Sequence, residues 1–162
     1  MKKPIVNGVD VSAYQGSINW TAAKAGGVDF AILRAGLGKF ATQIDKYFDT
    51  NYKGAKAAGV HVGAYWYSYA MSAEQAVQEA KACIEVLKGK QFDMPIYYDV
   101  EEQSQFNTGK KNVSAIIRAF CGTMEKAGYW VGLYTNSAAM QSYIEDDIKT
   151  RYAIWIAHWG VK

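Results

Sequence analysis

Three carboxylates stand out for where they fall along the chain. Asp99 and Glu101 flank Val100 at the end of an otherwise apolar run, Pro95 to Glu101, and Asp10 lies near the end of another, Val6 to Val11. Residues i and i+2 of an extended strand share a face at roughly 6.5–7 Å between Cα atoms, so Asp99 and Glu101 are expected to be neighbours, with Asp10 near them. Like charges in a partly apolar pocket raise at least one pKa, leaving one carboxyl protonated beside an ionised one. An acid beside an anion is the equipment for glycoside hydrolysis. An Asp at a strand end also serves simply as an Asx-turn or a helix cap, and for Asp10 alone both readings stand. The Asp99–Glu101 pair points to chemistry, because two buried unpaired acids are costly without a purpose. Glu102 has the opposite parity; it is expected to face solvent and to serve as the control residue.

The elements that must position these acids can be read from periodicity. Six short runs rich in β-branched and aromatic residues read as buried strands: Val6 to Val11, Phe30 to Gly36, Val60 to Tyr67, Pro95 to Glu101, Trp130 to Asn136 and Ala153 to Trp159. Helical spacing occupies Asn19 to Ala25, Asp45 to Ala58, Ser72 to Leu87, Lys110 to Ala127 and Ser137 to Lys149. Ser72-Ala73-Glu74-Gln75 has the form of a capping box, and glycines at 26–27, 59 and 128 stand where left-handed helix ends want them. Strand and helix alternating in this way give parallel strands with crossover helices, so the class is α/β. Ala58 to Tyr65 and Ala127 to Tyr134 share the pattern A-G-x-x-V-G-x-Y, an echo that speaks for a repeated unit.

Side-chain parity separates a barrel from an open doubly wound sheet. One parity class holds Val9, Val11, Val62, Ala64, Ile96, Val100, Val131, Leu133, Ile154 and Ile156, suited to packing beneath helices. The other mixes tiny, aromatic and acidic residues: Gly8, Asp10, Gly63, Tyr65, Tyr67, Tyr97, Asp99, Glu101, Gly132, Tyr134, Asn136, Trp155 and Trp159. A barrel interior capped by a site accommodates such a set, and the site of such a barrel lies at the C-terminal strand ends. Arg34 joins the inward set if Phe30 and Ile32 do. Tyr65, Tyr67, Tyr134, Trp155 and Trp159 each suit a core, yet their joint placement beside acids favours stacking on sugars. His61 sits at a strand start and His158 has the outward parity, so no metal site is expected from them and no cofactor is called for.

Composition narrows the classes further. The 162 residues suit one domain spanning 1–162; half are hydrophobic, which excludes disorder, and no apolar run is long enough to span a membrane. The net charge of +3 is scattered, so no nucleic-acid footprint is present. After Lys2 and Lys3 no apolar stretch follows, and no secretory signal is read. Cys83 and Cys121 fall inside helical patterns and are expected to be buried free thiols. No Gly-rich phosphate loop follows the first strand.

Taken together and in order, Gly8-Val9-Asp10-Val11-Ser12 with Tyr14-Gln15-Gly16, Phe30 to Ala35, Gly63 to Tyr67, Tyr98 to Glu101, Leu133 to Asn136 and Ile154 to Ala157 resemble the glycoside hydrolase family 25 lysozymes. The resemblance implies an irregular TIM-like (β/α) barrel that cleaves the β-1,4 bond between N-acetylmuramic acid and N-acetylglucosamine of peptidoglycan, with retention. It implies action outside the cell, at the cell wall, or on release by phage lysis. Glu101 is similar to the family's general acid and base, Asp99 to its charge-stabilising companion and Asp10 to a third rim acid. The family's barrel has eight strands; six are read here, so two strands and a further acidic residue are expected to be missing from a C-terminally truncated domain. The exposed edges would then invite self-association. The rival readings are a glycan-binding barrel fragment without catalysis and a barrel glycosidase acting on chitin-like polymers.

Overall fold

A computed structural model describes residues 6–157. Six strands run parallel in sequence order: β1 Gly8–Val11, β2 Phe30–Leu37, β3 His61–Tyr67, β4 Ile96–Asp99, β5 Val131–Asn136 and β6 Ala153–Ala157. The helices are α1 Trp20–Ala25, α2 Phe48–Ala57, α3 Ala73–Leu87, α4 Gln103–Phe106, α5 Lys110–Lys126, α6 Ser137–Ser142 and α7 Asp146–Arg151. Gly8 and Phe30 from the first two strands and Trp155 from the last line one shared cavity, so the sheet curls into a half-barrel. Among the described residues β1 and β6 each pair on one side only.

The two parity classes separate as their chemistry requires. Val11, Val62, Ala64, Ile96, Val100, Val131 and Leu133 are buried in the core beneath the helices. Ile156 departs from the pattern and is exposed, in keeping with its place on an edge strand. On the concave side small residues make room for large ones. A Cβ on Gly8 would strike the Phe30 ring, and one on Gly132 would meet Tyr97 and the carbonyl of Ala153. The sequence echo is a shared helix-to-strand joint: Gly59 and Gly128 end α2 and α5 with φ of 74° and 91°, values that favour glycine.

Three expected elements are altered. The helix expected over 137–149 divides into α6 and α7. Ile144 is buried between them, Ser114 Oγ accepts from Glu145 N–H at 3.0 Å, and Arg118 pairs with Glu145 and Asp147 as the second helix starts. The helix expected from Asp45 begins at Phe48, because the Asp45 side chain is committed to its surroundings rather than to a helix turn. Strand β4 ends at Asp99, two residues short of its expected end, and the unforeseen α4 follows. The capping box at Ser72 is present in part, with Gln75 N–H donating to Ser72 Oγ, while the Gln75 side chain accepts from Met71 N–H. Cys83 and Cys121 are buried free thiols, as expected. His158 and Trp159 lie outside the described residues.

Candidate active site

Each acid is delivered to the C-terminal end of the sheet by its strand. Asp10 is the third residue of β1 and Asp99 the last of β4; Glu101 lies two residues beyond, where the chain leaves the sheet. The backbone here is held from both sides. Ser68 N–H donates to the Asp99 carbonyl at 2.9 Å, Val100 N–H to the Tyr134 carbonyl at 3.0 Å, and Thr135 Oγ1 to the Val100 carbonyl at 2.7 Å. The result is one open cavity lined by Asp10, Tyr65, Asp99, Glu101, Tyr134 and Trp155. Five strands or their immediate continuations contribute to it, which only a curled sheet permits.

Burial and charge divide the acids. Asp99 is 5 % exposed, and its Oδ1 has no hydrogen-bond partner among the described residues. Burial, then the charges of Glu101, Asp10 and Glu102, push its carboxyl up to about 8, with Arg34 opposing. Glu101 is more exposed; loss of water and the neighbouring Glu102 raise it as well. A proton is therefore retained by this group of acids at neutral pH. Burial, followed by the facing acids Glu101, Asp99 and Asp10, pushes Tyr134 up to about 12, and burial likewise raises Tyr65, so both phenols are neutral hydrogen-bonding groups. Trp155 meets Tyr97 and Tyr134 edge-on at 5.3 and 5.0 Å between ring centroids, which fixes the indole at the cavity wall.

The remaining candidates lie around this cavity. Arg34 donates from Nε to Asp45 at 2.6 Å and lies under the ring of Tyr14, 5.1 Å from its centroid. Tyr67 donates its O–H to Glu102 Oε1 at 2.6 Å and tilts against Tyr69. Glu102 is thus not the solvent-facing bystander that strand parity predicted. Alternation holds only while the chain is extended. Strand pairing ends at Asp99 and Glu102 is the N-cap residue of α4, so its side chain is free to turn toward Tyr67. The helical start after Glu102 was the signal that parity reasoning passed over.

Asp45 is a second residue the sequence did not single out. It is buried, accepts from Ala13 N–H and Tyr47 N–H at 2.9 Å each, and holds Arg34. It therefore ties the turn that follows Asp10 to β2. That turn is closed by reciprocal bonds between Ser12 and Gln15, with Gly16 at φ 66°.

Parallel strands curled into a half-barrel around an acid-lined mouth with aromatic walls make an α/β fold whose candidate site stands at the C-terminal strand ends. The family model of Glycosyl hydrolases family 25 matches residues 9–162, and the chain belongs to that family. It is 28 % identical over 156 residues to the autolytic lysozyme of Clostridium acetobutylicum, covering 96 % of this chain and 46 % of that protein. Lysozyme M1 of Streptomyces globisporus is 43 % identical over 63 residues, which is 39 % of this chain and 21 % of that one. The chain thus spans less than half the length of these curated relatives. Among solved structures, a family 25 glycosyl hydrolase from Bacillus anthracis superposes with a TM-score of 0.81 at 28 % identity, covering 96 % of this chain and 71 % of the other. The CTP1L endolysin gives 0.83 at 28 % identity, covering 94 % and 52 %.

Proposed function

We propose that the chain is the catalytic part of a peptidoglycan muramidase, hydrolysing the β-1,4 bond between N-acetylmuramic acid and N-acetylglucosamine with retention of configuration. Family membership supports the reaction class, and the names of the similar lysozymes and endolysin support the substrate. The observation that carries the reading is the single cavity in which Asp10, Asp99 and Glu101 meet beside Tyr65, Tyr134 and Trp155.

In the mechanism we favour, Glu101 is the general acid. A glycan lying over the mouth strips water from Glu101, the more exposed of the two central carboxyls, and so favours its protonated form. Glu101 gives its proton to the glycosidic oxygen as the bond to the anomeric carbon breaks. The proton shared among the acids then rests on Glu101, and Asp99, left as the carboxylate, faces the positive charge that develops on the sugar. The attacking group is either that carboxylate or the substrate's own 2-acetamido oxygen, oriented by Asp99. Glu101, now ionised, takes a proton from the water that completes the reaction. Asp10 adds negative charge at the rim; Trp155, Tyr65, Tyr67 and Tyr134 offer ring faces and hydroxyls to the sugars, and Arg34 supports Tyr65 and Asp99 from below. Neither metal nor organic cofactor enters this scheme.

Among the described residues no helix is long and apolar enough to cross a membrane, and the site of action we propose is the bacterial cell wall. Nucleic acid has no part in this reading. The edges of β1 and β6 that are unpaired among the described residues are where two more strands would complete an eight-stranded barrel, or where a second copy would pair. The same edges favour one rival, a barrel that holds glycan without cutting it. Turbidity loss and reducing-end release from purified cell walls separate the two. The muramidase reading expects clearing by the protein and none by Glu101→Gln at unchanged folding. Binding without clearing, or a fully active Glu101→Gln, overturns it.

A further inference from the structure

Next to the mouth, on the helix-covered side of the sheet, four buried side chains form a run of hydrogen bonds with a defined direction. Gln105 of α4 donates from Nε2 to Ser68 Oγ and to the Ala70 carbonyl, each at 2.8 Å. Ser68 O–H donates to the Tyr98 oxygen at 2.7 Å, and Tyr98 O–H donates to Glu79 Oε2 at 2.6 Å. The direction follows from donor counting. Ser68 Oγ already accepts from Gln105 and from Ala70 N–H at 3.2 Å, so its own proton goes outward to Tyr98. Tyr98 must then pass its proton to a group that accepts. Glu79 does so, and its other oxygen accepts from Tyr69 N–H at 2.8 Å. Glu79 is 2 % exposed and forms no ion pair among the described residues. A buried carboxylate without a cation is costly, and apolar side chains would fill the same space more cheaply.

What the run connects gives it a purpose. Tyr98 immediately precedes Asp99, and Ser68 also holds the Asp99 carbonyl through its N–H. Gln105 lies on the short helix that starts just after Glu102, so its bonds to Ser68 and Ala70 fasten that helix to the end of β3. Glu101 therefore sits between two fastened points: Val100, held by Thr135, and α4, held by Gln105. We infer that Glu79, acting through Tyr98, Ser68 and Gln105, is a positioning device that sets where the Glu101 carboxyl stands relative to Asp99. The inference rests on the muramidase reading for its catalytic meaning.

The test uses Tyr98→Phe, which deletes the hydroxyl but keeps the ring stacked on Phe120 at 3.8 Å, with Ser68→Ala and Gln105→Met as milder cuts elsewhere in the run. Kinetics of reducing-end release from soluble peptidoglycan fragments should show kcat falling ~10-fold or more with KM within about twofold, since a displaced catalytic group costs rate rather than binding. Leu87→Ala, in the core at the end of α3, supplies a matched loss of Tm and should keep kcat per folded molecule. Wild-type kcat in all three variants, or a fall equalled by Leu87→Ala, overturns the inference. If the wild-type protein releases no reducing ends, the muramidase reading fails instead. The positioning claim is then read from the carboxyl NMR shifts and titration of Asp99 and Glu101, which move in Ser68→Ala if it holds and stay in place if it does not.

Discussion

Asp45 and Asp99 are buried to the same degree, 6 % and 5 % exposed, and the fold treats them in opposite ways. Asp45 receives two backbone N–H groups and an arginine, a full set of partners for a carboxylate. Asp99 has an oxygen with no partner among the described residues and faces three other acids. One buried acid holds the scaffold together and the other is held by it at a cost in stability. Where a carboxylate is fully satisfied, the sequence has built structure; where it is left short of partners its pKa rises, which is what the proposed chemistry would use.

That contrast can be broken most severely at Asp45. Asp45→Ala leaves Arg34 partly buried beside two orphaned N–H groups, and should cost about 3 kcal/mol in denaturant unfolding, together with the setting of the turn after Asp10. Asp99→Asn should do the reverse, raising Tm by ~5 °C or more at neutral pH while abolishing wall clearing. The sign follows from linkage. With a carboxyl held at about 8 in the folded protein against its ordinary 3.8, the folded state binds more protons across that window. Wild-type stability therefore loses ground as pH rises from about 4 to about 8 and levels off above, so the advantage of Asp99→Asn grows over that range and is absent below it. Equal Tm for the two proteins at pH 4 and at pH 8 would refute the buried-acid account. The smallest effect is expected at Glu102. Glu102→Gln removes a charge that raises both Asp99 and Glu101, so the alkaline limb of the clearing profile should move to lower pH by less than about one unit, with little change in Tm.

The strands and the inward set were legible because a sheet covered on one side by helices imposes alternation, and alternation is written in residue types. Parity alone groups Asp10, Asp99, Glu101, Tyr65, Tyr134 and Trp155, and the structure brings all six around one cavity. The misreadings share one cause. Glu102, Asp45 and the break at Ile144 lie where the chain leaves regular structure, and periodicity carries no information there. Glu79 was illegible for another reason: on α3 it occupies the position of a core residue, and its partners come from β4 and the loop between β3 and α3.

Which residues point inward, and that three acids fall at strand ends, was determined by the amino-acid order alone, through the two-residue repeat of strands. Which of those acids keeps its proton was decided only by tertiary structure. A pKa depends on how much water and how many charges surround a group, and both are set by segments distant in the chain that meet only when the sheet curls.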